Sequence, residues 1–215
     1  MNLSGKIASD QVIKLKFSIS GTVSSVNTTT GKSVKKGELL ASLNQKELQA
    51  YLDRSLKYYD SQRAEFEEKQ KKGIGDFERI KIQSELDISV KNVEIAKTNL
   101  EATNLYSPIN GIVVEMDPIA PGVNIAPTNF VITVLNPDSY YFDAEVKEEN
   151  LNDLKVDDYA EISLKAFKDK VYKGRVAAIG ITPSKDGIYP VKIVLEEKTD
   201  LRLGLSGTVE LKQSV

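Results

Sequence analysis

The spacing of apolar residues along the chain changes period several times, and each change predicts a different kind of element. Glu38-Leu39-Leu40-Ala41-Ser42-Leu43 has the apolar pattern of a strand, and Gln45-Lys46-Glu47-Leu48 then opens a charge-rich stretch free of Gly and Pro as far as Lys72. Within it Leu52, Tyr59 and Phe66 recur every seven residues, and Leu48, Ser55, Gln62 and Lys69 fill the intervening turns, only the first of them apolar. This predicts a helix over residues 45–72 with a weak seam. Lys72-Gly73-Ile74-Gly75 breaks it, and Asp76 has the side chain of an N-cap for a second helix over residues 77–104. The second helix carries a fuller heptad stripe of Ile82, Leu86, Ser89, Val93, Ala96, Leu100 and Thr103. Two helices of nearly equal length joined by a short Gly turn run antiparallel, each about 40 Å long at 1.5 Å per residue. They bury one face against each other, and the charged remainder near the turn predicts a projecting arm.

On either side of the arm lie two similar β-rich segments. The first runs from Gly21-Thr22-Val23 through Gly31 to Leu43, the second from Gly111-Ile112-Val113 through Gly122 to Val134. Counted from Gly31 and Gly122, the same offsets hold Val34 and Ile125, Leu40 and Val131, Leu43 and Val134. Neither half has strands enough to bury its own apolar face, so the pair predicts one small β-domain split by the arm. Its loops 26–32 and 115–123 are polar candidate surfaces, with Asn27 and Thr28-Thr29-Thr30 expected to face water.

Beyond Asn136-Pro137-Asp138 the alternation predicts strands at 140–146, 160–164, 171–179, 188–195 and 208–211, with a short helix at 148–155. Five or six strands in so short a segment predict a small barrel. Lys6-Ile7-Ala8-Ser9, strand-like and close to the first residue, suggests a chain cut from a longer one.

Composition narrows the chemistry. The 215 residues are 40% hydrophobic and 28% charged, enough for a folded core. A formal charge of −2, from 29 basic and 31 acidic residues, gives no reason to expect nucleic acid as a partner. The chain has no Cys and no His, which removes thiolate and imidazole chemistry, disulfides and Cys- or His-ligated zinc. No enzymatic activity, metal or cofactor is expected. No stretch reaches the ~18 apolar residues of a membrane span.

The segments SGTVSSVNTTTGKSVKKGELLASL and LYSPINGIVVEMDPIAPGVNIAPTNFVITVL resemble the two halves of a biotinyl/lipoyl-type domain. The hairpin that bears the modified Lys in carrier members is replaced here by residues 45–104. Lys46 lacks the flanking Met, or Asp and Ala, of a carrier Lys. The whole arrangement, with FDAEVKEENLNDLKVDDYAEISL as the start of an adjacent β-barrel, resembles the membrane fusion proteins, or periplasmic adaptor subunits, of efflux and secretion pumps. The resemblance implies a mainly β fold with an inserted α-helical hairpin. The split domain occupies 21–44 and 105–136, the hairpin 45–104 and the barrel 137–205. Residues 1–20 and 206–215 would be a remnant of a membrane-proximal domain.

Function is then implied to be architectural. Such adaptors sit on the extracytoplasmic side, anchored by an N-terminal membrane helix or lipid, and self-associate, commonly as hexamers, around a cytoplasmic-membrane transporter. The short arm and compact chain most resemble adaptors of ABC exporters of the macrolide-efflux kind, so an ABC permease or ATPase is the implied partner. The arm tip, Arg63, Lys69, Lys72, Gly73, Ile74, Gly75 and Asp76, is the candidate partner-binding site, and Leu52, Tyr59, Phe66, Ile82, Leu86, Val93 and Leu100 form the candidate coiled-coil seam. Lys69-Gln70-Lys71-Lys72 and Asp76 stand where adaptors that dock on an outer-membrane channel carry an apolar Leu and a Ser, so the resemblance does not extend to such a channel. The competing readings are a coiled-coil scaffold without a transport role and a biotinyl/lipoyl carrier-like protein.

Overall fold

The computed structural model describes residues 1–185 and 187–212. In chain order the strands before the arm are β1 (Asn2–Ser9), β2 (Val12–Leu15), β3 (Gly21–Val26), β4 (Ser33–Val34) and β5 (Leu39–Leu43). The arm is α1 (Lys46–Lys72) and α2 (Asp76–Glu101), followed by β6 (Asn104–Tyr106), β7 (Gly111–Met116), β8 (Asn124–Ile125) and β9 (Ile132–Leu135). Then come β10 (Tyr140–Lys147), β11 (Tyr159–Leu164), β12 (Val171–Ile179), β13 (Ile188–Leu195) and β14 (Ser206–Lys212). The chain divides into one unit of residues 14–134 and another made of residues 1–13 with 135 onward.

In the second unit six strands close into a barrel in the order β1-β10-β13-β12-β11-β14, every neighbouring pair antiparallel. Strict alternation explains why these strands form: Phe142, Ala144 and Val146 point inward and are fully buried, whereas Tyr141, Asp143 and Glu145 point out. Ile162, Tyr172, Val176, Ile193 and Val209 complete the core. Asp143 lies on the outer face opposite Lys6 and Lys192, and its partial burial lifts its carboxyl above the ordinary range.

The barrel closes where the two ends of the chain meet, with Gly5 of β1 directly opposite Gly207 of β14. A Cβ on Gly5 would fall 2.3 Å from the Asp143 carbonyl oxygen and one on Gly207 2.3 Å from that of Ser163, so only glycine fits at this closure. The placement corrects the expectation of a membrane-proximal remnant: Asn2–Ser9 and Ser206–Lys212 are barrel strands, and residues 213–215 lie outside the described ones. The expected helix at 148–155 is a 3₁₀ segment, Glu148–Asp153.

The first unit holds a sandwich of two four-stranded sheets, ordered β2-β9-β7-β4 and β6-β5-β3-β8. Its two halves exchange strands reciprocally. Gly21 of β3 pairs with Ile125 of β8, and Gly111 of β7 pairs with Val34 of β4. The turn glycines do the same: the Gly31 N–H donates to the Val113 carbonyl (2.7 Å) and the Gly122 N–H to the Val23 carbonyl (2.8 Å). Val34, Leu40, Leu43, Ile125 and Val134 are buried as the repeat requires. Val131 is only half-buried, and its neighbours Phe130 and Ile132 supply the core there.

Candidate functional site

The arm replaces the turn between β5 and β6, which pair antiparallel through Ser42 and Asn104. Its first helix starts at Lys46, whose N–H donates to Asn44 Oδ1 (3.0 Å). The second starts at Asp76 with Gly75 as the extended capping residue, which corrects the assignment of Asp76 as N-cap. Asp76 is instead the first helical residue, its carboxylate bonded to Arg79 (2.8 Å) and placed where the helix dipole favours a negative charge. The helix ends at Glu101 rather than at Asn104, which belongs to β6.

Along the seam Ile82 is buried, and Leu52, Tyr59, Phe66, Leu86, Val93 and Leu100 are half-buried. Three small residues are buried with Ile82: Ser55 on α1, and Ser89 and Ala96 on α2, the last two fully. Both serine hydroxyls donate within their own helix, Ser55 to the Tyr51 carbonyl (2.9 Å) and Ser89 to that of Leu86 (2.6 Å). Burial of these two serines therefore leaves neither hydroxyl unpaired.

At the tip Gly73 takes φ +73°, a conformation that side chains other than glycine rarely adopt, and this reverses the chain. Ile74 is half-buried and Gly75 exposed. The charges expected to reach outward are tied down along the arm. Arg63 pairs with Glu67 (2.9 Å), Lys72 with Glu68 (2.5 Å), and Lys69 with Glu65 (2.8 Å) and, across the turn, Glu78 (3.5 Å). The hydrogen bond to Glu67 raises the Arg63 pKa, that to Glu65 raises Lys69, and that from Lys72 lowers Glu68.

Among these exposed ion pairs the tip also leaves large apolar side chains uncovered. Phe77 is 86% exposed and Ile80 65%, beside a shallow groove lined by Phe66, Gln70, Arg79 and Ser84. Ile88 and Ile95 continue this line down the outer face of α2, and Tyr51 and Tyr58 stand exposed on α1. Sequence reasoning passed over these residues. Their signal was a second stripe, Phe77-Ile80-Ser84-Ile88-Lys91-Ile95, at the same three-four spacing as the seam.

In loop 26–32 Asn27, Thr29 and Thr30 are exposed as expected, but Thr28 is 3% exposed, and its hydroxyl has no hydrogen-bond partner among the described residues. The position three residues before the turn glycine holds Ile119 in the other half, packed against the sandwich core, so the repeat puts Thr28 at a position whose counterpart is apolar. Thr28→Val is expected to stabilise the chain by about 1 kcal/mol, because it removes an unpaired buried hydroxyl at nearly constant shape. Thermal denaturation measures this, and a lowered midpoint would mean the hydroxyl is satisfied after all. In loop 115–123 Asp117 is pinned, its N–H donating to the Val131 carbonyl (3.1 Å) and its carboxylate accepting from the Val131 N–H (2.8 Å).

Among the described residues no group of acidic side chains is placed to hold a metal ion, and no helix is long and apolar enough to cross a membrane. A split sandwich, an inserted antiparallel arm and a closed six-stranded barrel make up the fold. Residues 11–136 match the family described as the CzcB-like barrel-sandwich hybrid domain, and the chain belongs to that family; its fold is shared with solved membrane fusion proteins and periplasmic adaptors.

Solved structures agree on the fold. The membrane fusion protein Spr0693 from Streptococcus pneumoniae R6 superposes with a TM-score of 0.83 at 19% identity, over 100% of both chains. A MacA–MexA chimeric protein containing the Pseudomonas aeruginosa MexA α-hairpin domain gives 0.87 at 19% identity, over 100% of this chain and 82% of that one. MacA from Actinobacillus actinomycetemcomitans gives 0.69 at 18%, over 100% and 78%. No protein with a curated function matches the chain.

Proposed function

We propose that this chain self-associates as a ring around an ABC-type exporter in the cytoplasmic membrane and forms an extracytoplasmic conduit. The full-length protein is membrane-anchored, and its arm reaches away from the membrane. The observation that carries this reading is the apolar outer face of α2, where Phe77, Ile80, Ile88 and Ile95 stand 55–86% exposed. A helix that has already buried its seam has no folding reason to keep a second stripe of this kind. The short arm and compact chain favour an ABC-type partner. The contact at the tip is assigned to Ile74, Phe77 and Ile80, with Gly73 and Gly75 shaping the turn. Arg63, Lys69, Lys72 and Asp76 frame it through their internal ion pairs.

Cross-linking and affinity purification of the anchored protein from its own membranes tests the reading. Co-purification of a permease or ATPase is the expected result. Recovery of no transport protein, with the cross-linker active on a known complex, would favour a scaffold instead. The double variant Ile88→Glu/Ile95→Glu is expected to keep the helical content of the arm while lowering the yield of cross-linked oligomers by about ten-fold or more, since both charges would be desolvated in the contact. Unchanged oligomer yield would remove this face from the assembly.

A further inference from the structure

Asn110-Gly111 is the only Asn-Gly pair in the chain, and the usual structural reason for such a pair is missing. Asn-Gly commonly makes a tight hairpin turn in which both residues take positive φ. Here neither does, and the strands it separates, β6 and β7, lie in different sheets. Asn110 is exposed between them, and Gly111 opens β7 in a ladder with β4 only two residue pairs long.

The side chain of Asn110 is held by the other half of the sandwich. Its Oδ1 accepts the main-chain N–H of Lys36 at 2.9 Å. Lys36 is second in a turn closed by the Glu38 N–H on the Lys35 carbonyl (3.0 Å), with Gly37 third at φ +83°. That is the type II form, whose second position suits proline. The equivalent turn of the second half, closed by the Asn129 N–H on the Ala126 carbonyl (3.0 Å), has Pro127 there and so has no N–H to offer. Likewise Ser20 stands before Gly21 where Asn110 stands before Gly111. The repeat thus contains once, not twice, an amide that precedes glycine and a main-chain N–H aimed at it.

We propose that Asn110 is a self-modifying site, at which the Gly111 nitrogen closes on the side chain to give a succinimide, then aspartate or isoaspartate, assisted by the Lys36 N–H. The Gly111 main-chain nitrogen, having lost its proton to base, bonds to Cγ of Asn110. The Cγ–Nδ2 bond breaks, and Nδ2 takes up a proton and leaves as ammonia. Negative charge gathers on Oδ1 in the tetrahedral intermediate, where the Lys36 donor stabilises it. Glycine leaves the attacking nitrogen uncrowded, and its short ladder lets it open locally to reach Cγ. Water then splits one of the two ring C–N bonds. Breaking the bond to Cγ gives aspartate in an ordinary chain; breaking the bond to the Asn110 main-chain carbonyl gives isoaspartate and lengthens the main chain by one methylene. Nothing is oxidised or reduced, and water is the sole co-reactant. The added methylene falls directly before the Gly111–Val34 pair and so loosens one of the two reciprocal ladders that tie the halves together. This inference concerns the sandwich and does not depend on the transport reading.

Purified chain kept for weeks in warm, mildly alkaline buffer tests it by peptide mapping. The Asn110 peptide is expected to gain about one mass unit, faster as pH rises, with isoaspartate detected by enzymatic methylation of its freed carboxylate. Lys36→Pro fits the turn and removes the donor, and should slow the conversion about three- to ten-fold with the β signal unchanged. Lys36→Ala, which keeps the N–H, should convert like wild type. Gly111→Ala crowds the attacking nitrogen and should slow conversion about ten-fold or more. Aged wild type should lose thermal stability as isoaspartate accumulates, whereas Asn110→Asp, with the same chain length and acceptor, should stay close to fresh protein. An Asn110 peptide unchanged after weeks would overturn the site. Conversion in Lys36→Pro as fast as in wild type or faster, or Lys36→Ala slowed as much as Lys36→Pro, would overturn the assistance from the Lys36 N–H.

Discussion

Gly207→Val is expected to unfold the barrel preferentially, costing at least about 3 kcal/mol, and to leave the helical signal of the arm standing. Gly207 points into the barrel between Ser206 and Thr208, which face out. A Cβ there meets the Ser163 carbonyl oxygen at 2.3 Å and the Leu164 Cα at 3.1 Å, both backbone atoms that cannot rotate away. Strand β14 would have to leave β11, giving up the ladder that runs from Tyr159 opposite Lys212 to Leu164 opposite Gly207. Because β14 also pairs with β1 at this point, the barrel would open at its closure and expose two edges at once. Thr208→Val, on the outer face of the same strand, is the control and should shift stability by less than about 0.5 kcal/mol. Denaturation followed by a β-sensitive probe decides between them. Equal midpoints for Gly207→Val and wild type would show that the strand relaxes around the added side chain.

The same two glycines explain where the sequence was hardest to read. Strands β12 and β13 could be delimited to the residue from alternation alone, because each is a long inside-outside repeat with turn residues at its ends. β1 and β14 have a glycine where that repeat needs an apolar residue, and they pair across nearly the whole chain, so nothing local indicated that they belong together. The two-residue strands β4 and β8 carry too little pattern to be seen singly, yet the matched glycines of the two halves located them as a repeat. At the arm tip the charges were legible and their partners were not. Lys69 lies four residues from Glu65 in sequence, but Glu78 reaches it only because the turn folds back. Reading one stripe per helix hid the second one on α2, and Thr28 gave no sign of burial because the residue types around it are those of an ordinary polar turn.

Ala96→Lys is expected to cost the arm its folded pairing, by about 3–5 kcal/mol, while sandwich and barrel keep their β signal. Ala96 is fully buried in the α1–α2 contact, one heptad beyond Ser89, which is fully buried as well. The buried positions of the two helices are Ser55, Ile82, Ser89 and Ala96, three of them small, and a four-carbon stem in place of a methyl group overfills a position that is already fully buried. The ammonium can escape only by bending toward solvent, which prises the helices apart over the neighbouring turn. Neither helix has another source of stability: their remaining faces are solvated, the ion pairs along them are exposed, and single helices of this length and polarity are marginal in water. Ala50→Lys, at an exposed position of α1, introduces the same side chain without entering the seam and should leave helicity unchanged. Ala96→Leu separates size from charge: a loss as large as that of Ala96→Lys assigns the effect to close packing, and a much smaller one assigns it to the buried charge. Full helicity in Ala96→Lys would show that the helices are held together at the base and turn, so that the arm does not depend on its seam.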